Sequence, residues 1–477
     1  MKCVLAISAG AWLSLVACGS AGDAAGWHQF RGPNGSGVAD AESPPVEVGP
    51  ETNVKWKVAA PPGMSSPIVV GDLLVMTAFE DGQLLTVAYH RADGTEAWRA
   101  DAGATEIEKY YEAEGSPAAS TPATDGERIV SYFGSCGLRC YDLAGTELWR
   151  HEFPPARLPG NFGSGVSPMV ADGTVVLVRD TQDGSEIVAY EIDTGDLQWR
   201  QPRQSIVSYC TPVAWKTDDG TQIIAAGHGR LVSYDLNTGT EVWSVAGMPS
   251  GCCSSPVVME DTVLFAGWSP GGPDSDFRLP SFDDMLKTLD KDKNGSLSSE
   301  EAAQQFGNMF DAMDANSDGK LVREEHEAVV KFMADGENSA FAVKAGGRGD
   351  VTGTNVLWRQ SKGLPYVPTA IAYRGQYVMV KDGGIVTAYD AQSGEQLYMQ
   401  RGVEPGRYYA SPGPGAGHIS SAALDSGIIT VLAAGTDSPM EVARSAPFGE
   451  RISATPAIAD DTLYVRTAGH LYAFAEE

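Results

Sequence analysis

Two stretches of the chain carry acidic and amide side chains at a spacing that suits a bound cation. They run from Asp290 to Glu301 and from Asp314 to Glu325, and each has glycine at its sixth position. Calcium takes about six to eight oxygen ligands at roughly 2.3–2.6 Å. The side chains at positions one, three and five, the carbonyl at seven and a bidentate carboxylate at twelve can provide them, and the glycine allows a sharp bend. We therefore predict two calcium sites.

The predicted ligands occupy matching positions in the two loops. They are Asp290, Asp292, Asn294, Ser296 and Glu301 in the first loop and Asp314, Asn316, Asp318, Lys320 and Glu325 in the second. Ser296 and Lys320 would act through their backbone carbonyl oxygens. The alternative is a pair of solvated acidic loops without an ion, which two complete copies in tandem disfavour.

Helices are needed to position these loops. Apolar residues recur at helical spacing around them in three runs, Phe282–Leu289, Phe306–Met313 and His326–Met333. This is the pattern of EF-hand loops whose helices share a small apolar core. The loops begin only 24 residues apart, so we expect a single helix, about residues 299–313, where an ordinary EF-hand pair has two. The sequence therefore does not predict pairing of the loops through Leu297 and Leu321, and it favours a structural role for calcium over signalling.

The composition limits the partners of the chain. Its 477 residues include 34 Lys and Arg against 62 Asp and Glu, a net charge of -28. Such an acidic chain repels nucleic acid and anionic membrane surfaces, so nucleic acid is not expected as a partner. The 55 glycines and 43% hydrophobic residues indicate many short strands joined by turns, and they exclude a disordered chain.

The first residues have the features of an export signal. Met1 and Lys2 precede an apolar run, Val4–Val16. Ala17 and Cys18 follow the run, and the sequence from Leu15 to Cys18 is typical of a lipidation site. We therefore expect residues 1–18 to be a lipoprotein signal, Cys18 to carry the lipid and residues 19–52 to form a tether and N-terminal extension. This predicts an exported lipoprotein of the cell envelope that faces the periplasm; the alternative is plain secretion.

The rest of the chain is a repeat. A Ser/Thr-Pro start, two apolar strands, a Tyr-Asp-like step, a turn ending in glycine and an aromatic residue recur along it. The aromatics are Trp98, Trp149, Trp199, Trp243 and, later, Tyr398. The first four are 51, 50 and 44 residues apart, near the period of about 40–50 residues that propeller blades have. We expect each aromatic to pack between neighbouring blades.

Eight blade starts can be counted. They lie at Ser65–Pro67, Ser120–Pro122, Val166–Pro168, Cys210–Pro212, Ser254–Pro256, Val367–Thr369, Ile419–Ser421 and Ala454–Pro456. The eighth blade lacks room for a fourth strand, which Asn53–Val58 can supply, and this closure removes the open sheet edges. We therefore predict an all-β, eight-bladed β-propeller over residues 53–477, with a small α-helical EF-hand insertion, residues 273–337, in the fifth blade.

The cysteines leave several pairings open. Those that follow Cys18 are Cys136, Cys140, Cys210, Cys252 and Cys253. Their number is odd, so at least one is unpaired or linked elsewhere. Cys136 and Cys140 flank three residues of a predicted hairpin, and we expect them to form a disulfide. Cys210 lies at the matching start one blade before Cys252 and Cys253, so a bridge from it to either of them is also open.

These repeats resemble those of the PQQ-like (quinoprotein alcohol dehydrogenase-like) β-propellers. The segment Trp27–Gly35 is similar to the opening motif of exported members. The resemblance implies either a PQQ-dependent dehydrogenase or a cofactor-free scaffold lipoprotein, such as the propeller subunit of the outer-membrane barrel assembly machine. For a dehydrogenase it implies that a vicinal disulfide, here Cys252–Cys253, covers one face of the quinone. The tryptophan on the other face, the calcium ligands and the aspartate base of such enzymes have no matching positions in this chain.

The sequence therefore favours a calcium-binding, lipid-anchored propeller that acts as a non-catalytic binding or scaffold protein. PQQ is not expected as a cofactor. The alternatives are a PQQ-dependent dehydrogenase or an enzyme that acts on polysaccharide. We expect the insertion to stand beside the channel mouth, where a protein or carbohydrate partner would bind. Aromatic and arginine residues of the same face could contact it: Tyr110, Tyr111, Arg157, Asn161, Phe162, Arg407, Tyr408 and Tyr409.

Overall fold

A computed structural model describes residues 26–39, 41–271, 278–306, 310–316 and 318–476. The predicted signal segment and Cys18 lie outside these residues. Within the described residues, no helix is both long enough and apolar enough to cross a membrane.

Eight antiparallel sheets form the body of the molecule, which confirms the predicted all-β, eight-bladed propeller. The strands are Ile68–Val70, Leu73–Glu80, Gln83–His90 and Glu96–Asp101 in blade 1; Ala123–Thr124, Arg128–Phe133, Gly137–Asp142 and Glu147–Glu152 in blade 2; Met169–Ala171, Thr174–Arg179, Glu186–Glu191 and Leu197–Pro202 in blade 3; Val213–Thr217, Gly220–Gly227, Arg230–Asp235 and Glu241–Ala246 in blade 4; Val257–Met259, Thr262–Gly267, Ser339–Lys344 and Val356–Gln360 in blade 5; Ile371–Tyr373, Gln376–Lys381, Ile385–Asp390 and Gln396–Arg401 in blade 6; Gly413–Gly415, His418–Ala422, Ile429–Ala433 and Glu441–Arg444 in blade 7; and Ala457–Ala459, Thr462–Arg466, His470–Phe474 and Val54–Ala59 in blade 8. A short strand, Gly349–Asp350, adds to the outer edge of blade 4.

Burial along the strands follows from this arrangement. The second strand of blade 3, Thr174–Arg179, is buried at every residue because neighbouring blades cover both of its faces. The fourth strand of blade 2, Glu147–Glu152, alternates between half-buried and exposed residues because solvent reaches one side. In the sequence, the inner strands are therefore continuous apolar runs, whereas the outer strands alternate between apolar and polar residues.

Both ends of the chain meet in blade 8. Val54–Ala59 pairs antiparallel with His470–Phe474 and supplies the fourth strand of the blade. The pairing joins residues more than 400 positions apart and leaves neither terminal strand as an unpaired edge within the ring.

Tryptophans on the fourth strands of five blades join each of these blades to the next. The Trp56 indole N–H donates to the Arg91 carbonyl, 2.9 Å away. Four further bonds of this kind run from Trp98 to Leu143, Trp149 to Ile192, Trp199 to Leu236 and Trp358 to Ala391. The ring of Trp56 also lies against Gly94, where an added Cβ would be 2.7 Å from the indole. The glycine of the repeat is thus needed for the packing of the preceding blade as well as for its own turn.

A closed ring of hydrogen bonds joins the blades around the axis. In each link, the backbone N–H of a serine or threonine donates to the hydroxyl oxygen of its counterpart in the next blade, at 2.9–3.1 Å. The members of this hydroxyl ring are Ser66, Thr121, Ser167, Thr211, Ser255, Thr369, Ser411 and Thr455, and Thr455 donates back to Ser66. All but Thr369 precede a proline, which restricts them to extended backbone.

The hydroxyl ring corrects one predicted blade start. Blade 7 begins at Ser411, whereas Ile419–Ser421 lies in its second strand, His418–Ala422. The first strand of this blade is the sequence Gly-Pro-Gly at Gly413–Gly415. Ser411 and Pro412 fit the Ser/Thr-Pro start of the repeat, but the strand after them lacks the apolar side chains of the other first strands, and the predicted start fell on the second strand instead.

The segment Trp27–Gly37 crosses the axis beyond the hydroxyl ring. Its backbone accepts bonds from Val69 and Thr124, each three residues after the ring member of its blade, Ser66 or Thr121. The Arg31 side chain is fully buried there, and burial lowers its pKa to about 9. The motif that resembles exported PQQ-like proteins is thus an axial plug, and its Phe30 reaches the space on the other side of the ring.

The insertion forms a small helical module between the second and third strands of blade 5, as predicted. Its helices are α1 (Phe282–Leu289), α2 (Ser299–Phe306), α3 (Phe310–Met313) and α4 (Arg323–Ala334). Their apolar faces share a core of their own, which consists of Phe282, Met285, Leu297, Ala302, Phe306, Phe310, Met313 and Leu321.

All described residues of the expected helix between the acidic loops are helical, in α2 and α3, and residues 307–309 lie outside the described residues. The loops pair as antiparallel strands with Leu297 opposite Leu321, a pairing that the sequence did not predict. Both leucines are fully buried in the core of the module. Burial of these side chains favours pairing, and loop spacing in the sequence does not reveal it.

Thr121→Val should lower stability because it removes the hydroxyl oxygen that accepts the Ser66 N–H while keeping the side-chain shape. A buried N–H left without a partner costs about 1–3 kcal/mol. Thr121→Ser keeps the acceptor and should cost less than half as much. Urea unfolding followed by tryptophan fluorescence measures both, and equal midpoints for the two variants would contradict a stabilising role for the hydroxyl ring.

Candidate functional site

A cavity of about 610 Å³ lies on the propeller axis between the hydroxyl ring and the helical module. The floor consists of Phe30 and six ring members, Ser66, Thr121, Ser167, Thr369, Ser411 and Thr455. Apolar and aromatic side chains of the blade links form the walls, among them Met64, Phe162, Ile206, Val207, Tyr209, Tyr366, Val367 and Tyr409. We call this space the axial cavity.

The helical module forms the roof of the axial cavity. Its described lining residues are Leu279, Met313, Ala315, Glu325, Ala328, Val329, Phe332 and Met333. The Phe332 ring stacks on His228 of blade 4 with centroids 4.8 Å apart, and the Arg157 guanidinium donates to the Ala315 carbonyl. The sequence places the module beside the channel mouth, whereas the structure places it over the mouth.

The first acidic loop brings its predicted side-chain ligands together. Oxygens of Asp290, Asp292 and Glu301 lie within 4.8 Å of one another. The Glu301 carboxylate accepts backbone N–H groups of Ser298 (3.0 Å) and Lys291 (2.9 Å), and these bonds lower its pKa to about 2. Glu301 is therefore ionised at neutral pH, as a calcium ligand must be.

The second loop repeats these contacts at matching positions. Asp314 accepts the Gly319 N–H at 2.8 Å, as Asp290 accepts that of Gly295 at 3.0 Å. Glu325 accepts the Val322 N–H at 3.1 Å, which corresponds to the bond from Ser298 to Glu301. Asn316 and Asp318 accept N–H groups within the loop, and Lys320 donates one. The described residues of the two loops thus share these hydrogen bonds, and the carboxylates found to converge are those of the first loop.

The predicted face residues divide into two groups. Phe162 and Tyr409 line the axial cavity. Arg407 instead binds Glu114 (2.7 Å) and Asp425 (2.8 Å), and Tyr408 is buried in the core of blades 6 and 7. Tyr110 packs on Phe79 and Tyr111 on Phe162, while Asn161 ends a short turn that α3 contacts.

Several lining residues were missed by the sequence analysis. Ile206, Tyr209 and Tyr366 lie in links of ordinary composition, and Phe332 and Met333 belong to a helix whose apolar residues were assigned to its own core. The sequence pattern could have indicated these residues in one way, since it places the links and the insertion on the same face of the propeller.

The structure contradicts the predicted Cys136–Cys140 disulfide. All five described cysteines are free, and these two pack in separate apolar clusters, Cys136 with Phe133 and Cys140 with Leu138. Burial raises the pKa of Cys136 to about 11 and that of Cys140 to about 12. Thiols with such pKa values are almost entirely protonated at neutral pH and are weak nucleophiles.

Cys252 and Cys253 are likewise free, and they point in different directions. The Cys252 thiol is buried beside Cys210 and lies 3.4 Å from the Pro249 carbonyl. Cys253 lines the axial cavity, and burial raises its pKa to about 12. Successive residues of an extended link face opposite sides, so the two adjacent thiols lie in different environments.

The axial cavity does not fit the quinone that the resemblance implies for a dehydrogenase. PQQ carries several carboxylates, and among the described lining residues there is no arginine or lysine to pair with them. The charged groups there are the carboxylates of Glu114 and Glu325, which would repel the quinone. The described lining also contains no tryptophan, and Cys252 and Cys253 do not present a joined pair to the cavity.

Comparisons with known proteins agree with this architecture. A family model described as outer membrane protein assembly factor BamB matches residues 81–268. No curated protein matches the chain. The BamB structure from Moraxella catarrhalis is similar with a TM-score of 0.54 and 12% identity, over 88% of this chain and 96% of that one.

Dehydrogenases share the fold as well. A europium-containing methanol dehydrogenase gives a TM-score of 0.57 at 11% identity, over 95% of this chain and 98% of that one. The quinohemoprotein alcohol dehydrogenase from Comamonas testosteroni gives 0.55 at 12% identity, over 95% and 81%. Identities this low show the fold alone.

The chain is thus an eight-bladed propeller, as its sequence pattern predicts, and its residues 81–268 are similar to the BamB family model. Its structural neighbours include both a BamB protein and dehydrogenases, one of which is a quinohemoprotein. The side chains of the axial cavity, rather than the fold, must therefore distinguish between these functions.

Added PQQ should not remain on the purified protein after gel filtration, and the mixture should not oxidise alcohols with an artificial electron acceptor. The reason is the absence of paired cations for the quinone carboxylates among the described lining residues. Absorbance of the quinone in the protein peak measures retention. Stoichiometric retention that is lost in Cys253→Ser would reverse this interpretation.

Proposed function

We propose that this protein is a calcium-binding propeller that acts as a non-catalytic binding or scaffold protein in the cell envelope. The observation that carries the proposal is the pair of matching acidic loops, in the first of which the oxygens of Asp290, Asp292 and Glu301 converge within 4.8 Å. The loops belong to the module that covers the axial cavity, so an ion bound there would act on the face of the propeller where the cavity lies.

Calcium would hold the module in one conformation. In the first loop its ligands would be Asp290, Asp292, Asn294, the Ser296 carbonyl and Glu301, and in the second Asp314, Asn316, Asp318, the Lys320 carbonyl and Glu325. Without the ion, several carboxylates are held close together and repel one another. An affinity of about 10⁻⁴–10⁻³ M is sufficient for a structural role outside the cytoplasm.

A protein or carbohydrate partner would contact the face that carries the module. The module and the blade links meet there, and Arg157 bridges them through Asp183 (3.0 Å) and the Ala315 carbonyl. Because Arg157 and Asp183 are each about half exposed, a partner could reach this junction. The lipid anchor at Cys18 would hold the propeller at a membrane, and the match to an outer membrane assembly factor supports a periplasm-facing position.

Calcium removal should loosen the module and leave the propeller folded, because the sheets of the blades do not include the acidic loops. With EGTA, trypsin should cleave between about residues 274 and 335 and leave the remainder intact. Mass spectrometry of the fragments locates the cuts. Equal protection with and without calcium would show that the loops are not functioning sites, and global unfolding would show that calcium holds the propeller itself.

Substitutions in adjacent glutamates provide the matched control for this prediction. Glu301→Gln and Glu325→Gln remove a charged position-twelve ligand and should weaken calcium binding by about tenfold or more, about 1.4 kcal/mol. Glu300→Gln and Glu324→Gln change exposed neighbours that are not ligands and should leave the affinity unchanged. Isothermal titration calorimetry measures all four variants.

Cys18→Ala should release the protein from membranes, because the thiol that would carry the lipid is lost. Cell fractionation measures the membrane-bound fraction. Cys3→Ala lies within the expected signal and should leave that fraction unchanged. Full membrane association of Cys18→Ala would contradict the proposed anchor.

A further inference from the structure

We propose that the axial cavity binds an uncharged amphiphile, a small molecule with an apolar body and an oxygen acceptor at one end. The proposal deepens the proposed binding function and rests on it in one respect, since the roof of the cavity belongs to the calcium module.

The size and walls of the cavity fit an apolar body. Its volume of about 610 Å³ lies within the range of about 300–1,000 Å³ that small-molecule sites have. Phe162, Ile206 and Phe332 contribute apolar surface from the walls and the roof, and Phe30 contributes it from the floor. Such a lining favours a ligand that buries hydrocarbon or aromatic surface.

The charges of the lining favour an uncharged ligand. Glu114 is already paired with Arg407 at 2.7 Å, and Glu325 accepts the Val322 N–H at 3.1 Å. No arginine or lysine is among the described lining residues. An anion would therefore lack a partner, and a cation would have to compete for carboxylates that are already engaged, both of which are costly in an apolar site.

The floor supplies hydrogen-bond donors. Each hydroxyl oxygen of the ring accepts an N–H from the preceding blade, as Thr121 does from Ser66 and Ser167 does from Thr121. The hydroxyl protons of the six lining members have no acceptor in the described part of the chain. Because they converge from several blades on the axis, they can meet the oxygen of one alcohol or carbonyl group.

The roof connects this cavity with the acidic loops. Glu325 is the position-twelve residue of the second loop and also lines the cavity, and Val329, Phe332 and Met333 follow it on α4. Calcium at that loop would fix the start of α4 and with it the apolar roof. We therefore expect the amphiphile to bind more tightly when calcium is present.

Binding can be tested on the mature chain with 6-propionyl-2-(dimethylamino)naphthalene, an uncharged fluorophore that has an apolar ring system and a carbonyl oxygen at one end. In calcium, its fluorescence should rise saturably and shift to the blue, and 1-decanol should displace it. Decanoate and decyltrimethylammonium have the same chain but a charged end. They should displace it only at concentrations about tenfold higher or more. No saturable signal, or equal displacement by all three, would overturn the proposal.

A pair of substitutions shows whether the fluorophore occupies the cavity. Ile206 lines the cavity and is 43% exposed, so Ile206→Lys introduces a charge there without removing a core side chain. It should weaken fluorophore binding about tenfold or more. Leu197→Lys changes a residue that is 53% exposed on the outer strand of blade 3 and should have no effect. Equal binding by the Ile206→Lys variant and the unmodified protein would place the fluorophore elsewhere and overturn the proposal.

Calcium titration of the same preparation separates this proposal from the calcium proposal. Fluorophore binding without calcium binding would support the cavity site and refute the metal sites. Calcium binding without any fluorophore signal would refute the cavity site alone.

Discussion

The closed ring of Ser and Thr hydrogen bonds is the constraint on which the rest of this structure depends. Each blade contributes one N–H donor and one hydroxyl acceptor to the ring. All of them are hydrogen-bonded only because the eighth blade bonds to the first, through the Thr455 N–H and the Ser66 hydroxyl oxygen. Pairing of Val54–Ala59 with His470–Phe474 completes that return at the level of the sheets. Because the ring fixes the distance of every blade from the axis, it also fixes the floor of the axial cavity.

The axial cavity exists because three parts of the chain with different sequence character meet there. The plug around Phe30 closes the axis on one side of the ring, the blade links provide the walls, and the helical module provides the roof. The insertion does not disturb blade 5, since Thr262–Gly267 and Ser339–Lys344 pair along their full length beneath it. The module therefore has an apolar core of its own, separate from the sheets of the blades.

Dehydrogenases, one of which is a quinohemoprotein, and a BamB protein share this fold with the present chain, so the architecture alone does not select a function. A few side chains at the axis determine which ligand the propeller can bind. Here the adjacent cysteines are separated, Cys252 beside Cys210 and Cys253 at the cavity, and the charged lining residues are carboxylates. These features favour an uncharged ligand over a polyanionic cofactor.

The sequence by itself determined the blade count, the fifth-blade insertion and the positions of the two acidic loops, because each depends on a local period or a fixed spacing. It could not determine which surfaces meet. Pairing of Leu297 with Leu321, the separation of Cys136 from Cys140 and the place of Phe332 over the axis all depend on contacts between distant segments. The start of blade 7 was missed although Ser411 and Pro412 carry the start signal, because the Gly-Pro-Gly strand after them has no apolar run. Only the tertiary structure decided that plug, links and module enclose one cavity, because burial there is shared by residues hundreds of positions apart.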